Sequence, residues 1–374
     1  MVAGSLTVVQ MLPGLDSGGV ERGTLEMAAF LVKNGHRSIV ISDGGCLVPQ
    51  LKREGSIHIP WKVGKKNPIS LRYLFSLRRL LLYENVDILH LRSRVPAWIG
   101  YLAWKGIPRA KRPHLITTVH GFYSVNPFSA IMTKGERVIA VSQSIKEYII
   151  RHYPETPHGR IHVIYRGIDP DEFPFGYAPS GEWGKAWYEQ YPELKGKFVL
   201  AIIGRISRLK GHFFFFDLIK DLLDKDLPVH GLVVGGINRE NSRYLKELRC
   251  NIEQNKLENY ITFTDYQSQV RDIMASVDVI VSFSQKPESF GRSTLEALSL
   301  GVPVAGFQNG GVKEILKSIF PSGLVRVNDI GNASDVIRRI YEQRPVPLKN
   351  HSFTLQRMLD QTLRQYYELV ESAD

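Results

Sequence analysis

The sequence predicts an α/β protein made of two doubly wound domains in tandem. Three observations predict it. Short apolar runs alternate with helix-period segments along nearly the whole chain. The runs are apolar throughout, not at every second residue, as happens when helices cover both faces of a parallel sheet. The alternation also breaks once, in an irregular stretch after Tyr165, and then restarts. Each half is therefore expected to be Rossmann-like, with ligands at the carboxyl ends of the strands and a cleft where the two domains face each other.

In order, residues 5–12 read as a buried strand, 13–19 as a Gly-rich turn, and 20–34 as a helix with Val20, Met27, Ala28 and Leu31 on one face. Gly35 suits the position after that helix. Strands follow at 37–42, 87–91, 115–120, 138–141 and 161–164, with helical stretches between them. Turn formers from Arg166 to Asp171 lead into an aromatic, Pro- and Gly-rich segment ending near Pro192. The second half then gives a strand at 198–204, a helix at 211–225, a strand at 230–236, a helix at 240–254, and strands at 261–263, 278–282 and 303–306. The expected domains are residues 1–166 and 193–352, joined by a linker at 167–192, with 353–374 as a closing helix.

With 374 residues, 43% of them hydrophobic, the chain is long enough for two substantial cores. No apolar run approaches the ~20 residues that span a bilayer, and the first dozen residues lack the basic start and cleavage site of a secretory leader. Cys46 and Cys250 are too few for a disulfide framework. A cytoplasmic protein is expected. Charge is distributed unevenly: residues 1–165 carry 22 Lys and Arg against 10 Asp and Glu, and the remainder balances to −1. A one-sided basic surface attracts nucleic acid, anionic lipid or phosphorylated carriers alike.

The richest chemistry lies between Lys286 and Gly311. Glu288 follows a strand, a helix begins near Gly291, and Glu296 falls about two turns later. The helix start, with the unsatisfied backbone N–H groups of Ser293 and Thr294, is a natural phosphate seat, and carboxylates on either side can accept sugar hydroxyls. A second element is Gly204-Arg205-Ile206-Ser207-Arg208-Leu209-Lys210-Gly211, where Arg205 and Lys210 can converge on one anion across a turn, with Arg208 as a spare cation. In the first half, Gly18 and Gly19 sit in a strand-to-helix loop that lacks the G-x-G-x-x-G fingerprint. His120 ends an apolar strand in Thr117-Thr118-Val119-His120-Gly121. The histidines show no metal-ligand spacing; no metal is expected, and Asp169-Pro170-Asp171 and Asp224-Lys225-Asp226 read as a linker and a helix end.

Taken whole, Glu288 to Gly311 resembles the Glu-x7-Glu donor signature of family 4 retaining glycosyltransferases with the GT-B fold, the group 1 enzymes of the lipopolysaccharide and glycolipid type. Phe290, Gly291, Leu295, Ala297, Gly301 and Pro303 agree with its surroundings. The resemblance spans essentially the whole chain, and residues 353–374 correspond to a helix that crosses back onto the first domain. It implies that Glu288 holds donor-sugar hydroxyls, Glu296 the ribose, and Arg205 and Lys210 the departing diphosphate. Phe290, Gly291, Ser293 and Thr294 would complete the donor site. Gly18 and Gly19 would face the donor phosphates, and His120 the donor sugar. No cofactor is implied; the co-substrate would be a UDP- or GDP-sugar, and the mechanism an internal return in which the leaving phosphate helps deprotonate the acceptor. Arg292 stands where many members carry a small residue, which leaves the donor open.

The acceptor domain of such enzymes is the basic one here. Lys62, Lys65 and Lys66 lead into a segment where Leu71, Leu74, Phe75 and Leu82 share an apolar face beside Arg72, Arg78 and Arg79. We expect the apolar residues to pack on the sheet and the six cations to meet an anionic membrane or acceptor. The expected function is sugar transfer to a lipopolysaccharide, glycolipid or lipid-linked oligosaccharide of the cell envelope, by an enzyme peripheral to the inner face of the cytoplasmic membrane. The alternatives are a nucleotide-sugar 2-epimerase of the same fold, which should lack the Glu-x7-Glu context, and a nucleic-acid-binding protein, disfavoured because the second half has no basic bias.

Overall fold

The structure is a computed structural model describing residues 4–16, 18–64, 72–236 and 242–372. It divides into two compact units, residues 1–167 with 355–374, and residues 168–354.

The first unit holds seven parallel strands: β1 (Thr7–Met11), β2 (Arg37–Ser42), β3 (Ile57–Pro60), β4 (Ile88–Leu91), β5 (His114–Val119), β6 (Arg137–Ala140) and β7 (Ile161–Val163), in the order β3-β2-β1-β4-β5-β6-β7. The helices are α1 (Gly19–Lys33), α2 (Val48–Arg53), α3 (Tyr73–Tyr83), α4 (Arg94–Lys105) and α5 (Gln143–His152). Alternation along β1 shows why both faces must be covered. Val8 points into a core with Met27 and Leu31 of α1, whereas Val9 and Met11 point the other way, toward Leu77 and Leu81 of α3 and Ala97 of α4. The Val8 side is completed by the last helix of the chain (Leu355–Glu371), which contributes Met358, Leu359, Leu363, Tyr366 and Leu369.

The second unit holds α6 (Gly181–Gln190), β8 (Phe198–Ile203), α7 (His212–Leu223), β9 (Val229–Val234), α8 (Ser242–Gln254), β10 (Ile261–Phe263), α9 (Val270–Ala275), β11 (Val279–Ser282), α10 (Arg292–Leu300), β12 (Val304–Phe307), α11 (Gly310–Ile319), β13 (Leu324–Val325) and α12 (Ile330–Gln343). Its strands are parallel in the order β10-β9-β8-β11-β12-β13. Phe214 of α7 packs edge-on against Phe283 and Phe307, with ring centroids 4.9 and 4.8 Å away, locking this helix over β11 and β12. The helix that ends the chain is α13.

Two readings need correction. The edge strands β3 and β13 escaped the sequence because one is half exposed and the other has two residues. In α3 the buried residues are Leu77 and Leu81, an i, i+4 pair, with Leu74 partly buried beside them. Phe75 and Leu82 each lie one residue away from that stripe and face outward, Phe75 at 74% exposure. Leu71, Lys65 and Lys66 lie outside the described residues.

Candidate active site

In the second unit the strand order reverses between β8 and β11, whose onward connections go to opposite sides of the sheet. Loops leaving the carboxyl ends of such a pair diverge, and ligands of doubly wound sheets collect there. From β8 the chain passes Gly204 and Arg205, buries Ile206, and makes a 3-10 turn over Arg208–Lys210. Gly211 then opens α7 at φ +81°, where any side chain would strain the backbone and strike the carbonyl oxygen of Phe283. This contact fixes the β8 loop against the β11 loop.

Across that contact Lys210 Nζ donates to Glu288 Oε1 at 2.8 Å, and Ser284 Oγ donates to the same oxygen at 2.6 Å. Glu288 Oε2 has no partner among the described residues. Burial favours the protonated carboxyl, but the Lys210 charge and the two hydrogen bonds outweigh it, holding Glu288 below the usual carboxylate range. Backbone contacts hold the loop itself: Gly311 N donates to the Glu288 carbonyl at 2.8 Å, and a Cβ on Gly311 would run into the Phe290 backbone. Glycine at 311 therefore lets the Glu288 loop lie directly on the start of α11.

Helix α10 begins at once. Gly291 is its N-cap at φ +101°, no side chain caps it, and its first turn holds Arg292, Ser293 and Thr294. The N–H groups of that turn lack intrahelical acceptors and carry the positive end of the helix dipole. Phe290 is buried behind the turn, Ser293 is partly exposed, and the buried Thr294 Oγ1 has no hydrogen-bond partner. Glu296 accepts Arg292 Nε at 2.8 Å. Arg205 is exposed and forms no ion pair or side-chain hydrogen bond among the described residues. Arg208 is committed elsewhere, ion-paired with Glu247 and stacked on Tyr244 at 4.9 Å, which removes it as a spare cation.

The corresponding reversal in the first unit lies between β1 and β4. Gly18 is the N-cap of α1, with the Glu21 carboxylate against it, and Gly19 is the first helical residue, open on its Cβ side. His120 follows β5 and is partly exposed; its Nδ1 receives Arg166 Nη2 at 2.6 Å. Burial, then the charges of Arg166 and Arg92, hold the imidazole well below its ordinary pKa. A neutral ring accepting at Nδ1 carries its proton on Nε2, so His120 presents a donor.

Residues 17–172 match the model for Glycosyltransferase Family 4, and residues 185–354 match that for Glycosyl transferases group 1. The chain belongs to the family 4 glycosyltransferases of the GT-B fold. A crystal structure of a glycosyltransferase from Rickettsia africae superposes on it with a TM-score of 0.85 and 28% identity, over 98% of this chain and 99% of that one. HepE from Anabaena in complex with UDP-glucose gives a TM-score of 0.74 at 18% identity, over 98% and 100% of the two chains. The UDP-Gal:alpha-D-GlcNAc-diphosphoundecaprenol alpha-1,3-galactosyltransferase of Escherichia coli is 24% identical over 290 residues, 73% of this chain and 71% of that enzyme.

In this family 4 glycosyltransferase the sequence singled out Lys210 and Glu288 separately, and the fold makes them an ion pair. Ser284, Arg92 and Arg166 were missed. The available signal was position: each stands just beyond a short apolar strand, at β11, β4 and β7 respectively. Of the basic segment, Lys62, Arg72 and Arg79 are exposed. Arg72 lies 4.9 Å from the Tyr73 ring centroid. Arg78 has a structural task, donating to the carbonyls of Leu102 and Ala103 at the end of α4, over a Gly106 that leaves room for it. The glycosyltransferase shows no group of three or more metal-ligating side chains among its described residues, and Asp169 Oδ1 accepts the Asp171 N–H in a local turn.

Proposed function

We propose that this glycosyltransferase is a retaining, metal-independent enzyme that moves a sugar from a UDP- or GDP-sugar to a membrane-associated glycolipid, lipopolysaccharide or lipid-linked oligosaccharide. The observation that carries the reading is the Lys210–Glu288 pair, joined by Ser284 at the carboxyl ends of adjacent central strands, with the uncapped start of α10 a few residues on. Cations and free N–H groups suit a diphosphate, and a neighbouring ionised carboxylate suits sugar hydroxyls.

In the reaction the bond between the anomeric carbon and the diphosphate oxygen breaks, and its electron pair leaves with the nucleoside diphosphate. Lys210 and Arg205 neutralise that charge where a metal would otherwise do so. Glu288 holds Lys210 in place through Oε1 and offers Oε2 to the donor sugar; Glu296 serves the ribose, with Arg292 fixing its carboxylate. The acceptor oxygen bonds to the anomeric carbon on the face the leaving group vacates, and its proton passes to a departing phosphate oxygen. Within the first unit, His120 presents an Nε2–H donor, and Gly18 and Gly19 leave backbone open at the start of α1.

Membrane attachment is supported by the outer edge of α3, where Phe75 and Tyr83, at 74% and 81% exposure, stand among the exposed Arg72 and Arg79. It is supported too by the lipid carrier in the name of the Escherichia coli relative. No helix among the described residues is long and apolar enough to cross a membrane. The test is release of nucleoside diphosphate from a panel of UDP- and GDP-sugars, with and without membrane extract, followed by NMR of the product anomer. Acceptor-dependent release with donor configuration preserved supports the reading. Acceptor-independent isomerisation of the sugar would support a 2-epimerase instead, and an inverted anomer would remove retention.

A further inference from the structure

At the end of β4 the chain turns a guanidinium inward. Arg92 is 2% exposed, and its Nε and one terminal nitrogen, Nη1, have no hydrogen-bond partner. A buried cation left in that state is costly, so such atoms call for a ligand or counter-ion. The surroundings supply further positive charge. Arg166 donates to His120, and the charges of both arginines reach His120 and His90. His90 is closed on both ring nitrogens, by Tyr366 Oη and Thr118 Oγ1 at 2.6 Å each. Tyr366 also contacts Arg92, and the carboxylate whose charge reaches Arg92 is Glu26, itself paired with Arg22 at 3.2 Å.

Two residues beyond Arg92, α4 starts on Arg94 with no side-chain cap from Ser93 and no acidic residue in its first turn. A cation there opposes the helix dipole, an arrangement that an anion would reverse. The partly exposed His120 gives the cluster an edge to solvent.

We infer that Arg92, with Arg166 and the start of α4, is a seat for an oxyanion, a phosphate or carboxylate borne by the acceptor sugar or its carrier. The inference rests on reading the first unit as the acceptor-binding one. It narrows the acceptor to an anionic saccharide, since the donor diphosphate already has Arg205 and Lys210. A guanidinium suits this ligand because it stays charged when buried and offers several donors in one plane.

The test uses the full-length chain in a chloride buffer free of other oxyanions, by calorimetric titration and thermal melting with inorganic phosphate, glucose 1-phosphate, glucuronate and neutral glucose. Glucose 1-phosphate, glucuronate or both are expected to bind and raise the melting temperature, while glucose does neither. Arg92→Met should weaken binding by about tenfold or more, the loss of a charge-assisted contact. Without ligand it should melt no lower than the wild type, since it removes an uncompensated buried charge. Should Arg92→Met fail to fold, Arg166→Gln must show the same loss. The Arg205→Ala, Lys210→Ala double variant should keep anion binding within about twofold, as expected for a site with no shared partner.

Four results overturn the seat: no anion response in the wild type, equal binding of glucose, binding of inorganic phosphate but of neither sugar anion, or anion binding that survives Arg92→Met and disappears in the double variant. Nucleoside diphosphate release from UDP- and GDP-sugars, with and without membrane extract, is followed on the same preparation. Turnover without an anion response removes the seat and leaves transfer standing, whereas an anion response without turnover on any donor removes the transfer reading and leaves the seat.

Discussion

Replacing Glu288 by glutamine tests the proposed donor site at its centre. The carboxylate accepts Lys210 Nζ at 2.8 Å and Ser284 Oγ at 2.6 Å, and the two ion-pair side chains are 21% and 29% exposed. Glutamine keeps the shape and one acceptor but removes the charge. A charge-assisted hydrogen bond contributes about 1.5–3 kcal/mol, so transfer should fall roughly ten- to a hundred-fold in kcat/KM. Partial solvent screening places the stability loss lower, at about 1–2 kcal/mol.

The pH dependence has a definite sign. Glu288 titrates below its ordinary value in the folded chain, so its contribution is complete at neutral pH and disappears as pH falls below about 4.5 through the folded value. The melting difference between wild type and Glu288→Gln should therefore be present at pH 7 and shrink on acidification. A double-mutant cycle with Lys210→Met should return a coupling of about 1–2 kcal/mol, within the range for residues in contact. The assay is nucleoside diphosphate release together with thermal melting from pH 7 to 3.5. Wild-type turnover by Glu288→Gln, or strictly additive effects in the cycle, would refute the donor-site assignment.

Transfer should continue in EDTA, because in the proposed mechanism Arg205 and Lys210 supply the positive charge; inhibition that magnesium or manganese reverses would return Asp169 and Asp171 to consideration. Vesicles with anionic lipid should sediment the chain at low salt and release it near 1 M, where the screening length is about 3 Å; Arg72→Glu with Arg79→Glu should weaken attachment, as should Phe75→Ser with Tyr83→Ser, and unchanged sedimentation by both would discard this edge as the membrane face. His212 is buried at the start of α7 with a pKa lowered to about 4, chiefly by desolvation. Its unfolded value is near 6.5, so the unfolded chain takes up the proton first and stability falls with pH, by about 2 kcal/mol at pH 5 from this group alone. His212→Asn should flatten the acid limb of the melting profile, and an identical limb would exclude the assignment.

How much was legible follows from which forces act locally. The strands of both sheet centres were readable because burial on two faces demands apolar runs, uninterrupted in 198–203 and broken only by His90 in 88–91. The edges carry no such demand, and β3 and β13 were invisible. In α3 the composition was informative but the phase was not: a shift of one residue carries a side chain about 100° around the helix, enough to exchange Phe75 for Leu74 as the inward residue. Arg78 could not be distinguished from its neighbours, because its acceptors are main-chain carbonyls 24 and 25 positions away.

The same reasoning explains the site. Glu288 and Glu296 were legible because their spacing is local, set by one short loop and the first turn or so of α10. The Lys210–Glu288 bond joins residues 78 positions apart, through the adjacency of β8 and β11. No periodicity in the chain records that adjacency. What the sequence did contain was its precondition, glycines at 211, 310 and 311 that let two loops approach where Cβ atoms would collide. The Lys210–Glu288 pair is thus placed by what the neighbouring positions lack. An alanine at Gly211 or Gly311 should therefore damage the proposed donor site without touching a charged group, and should lower transfer further than an exposed substitution such as Lys286→Ala in the Glu288 loop.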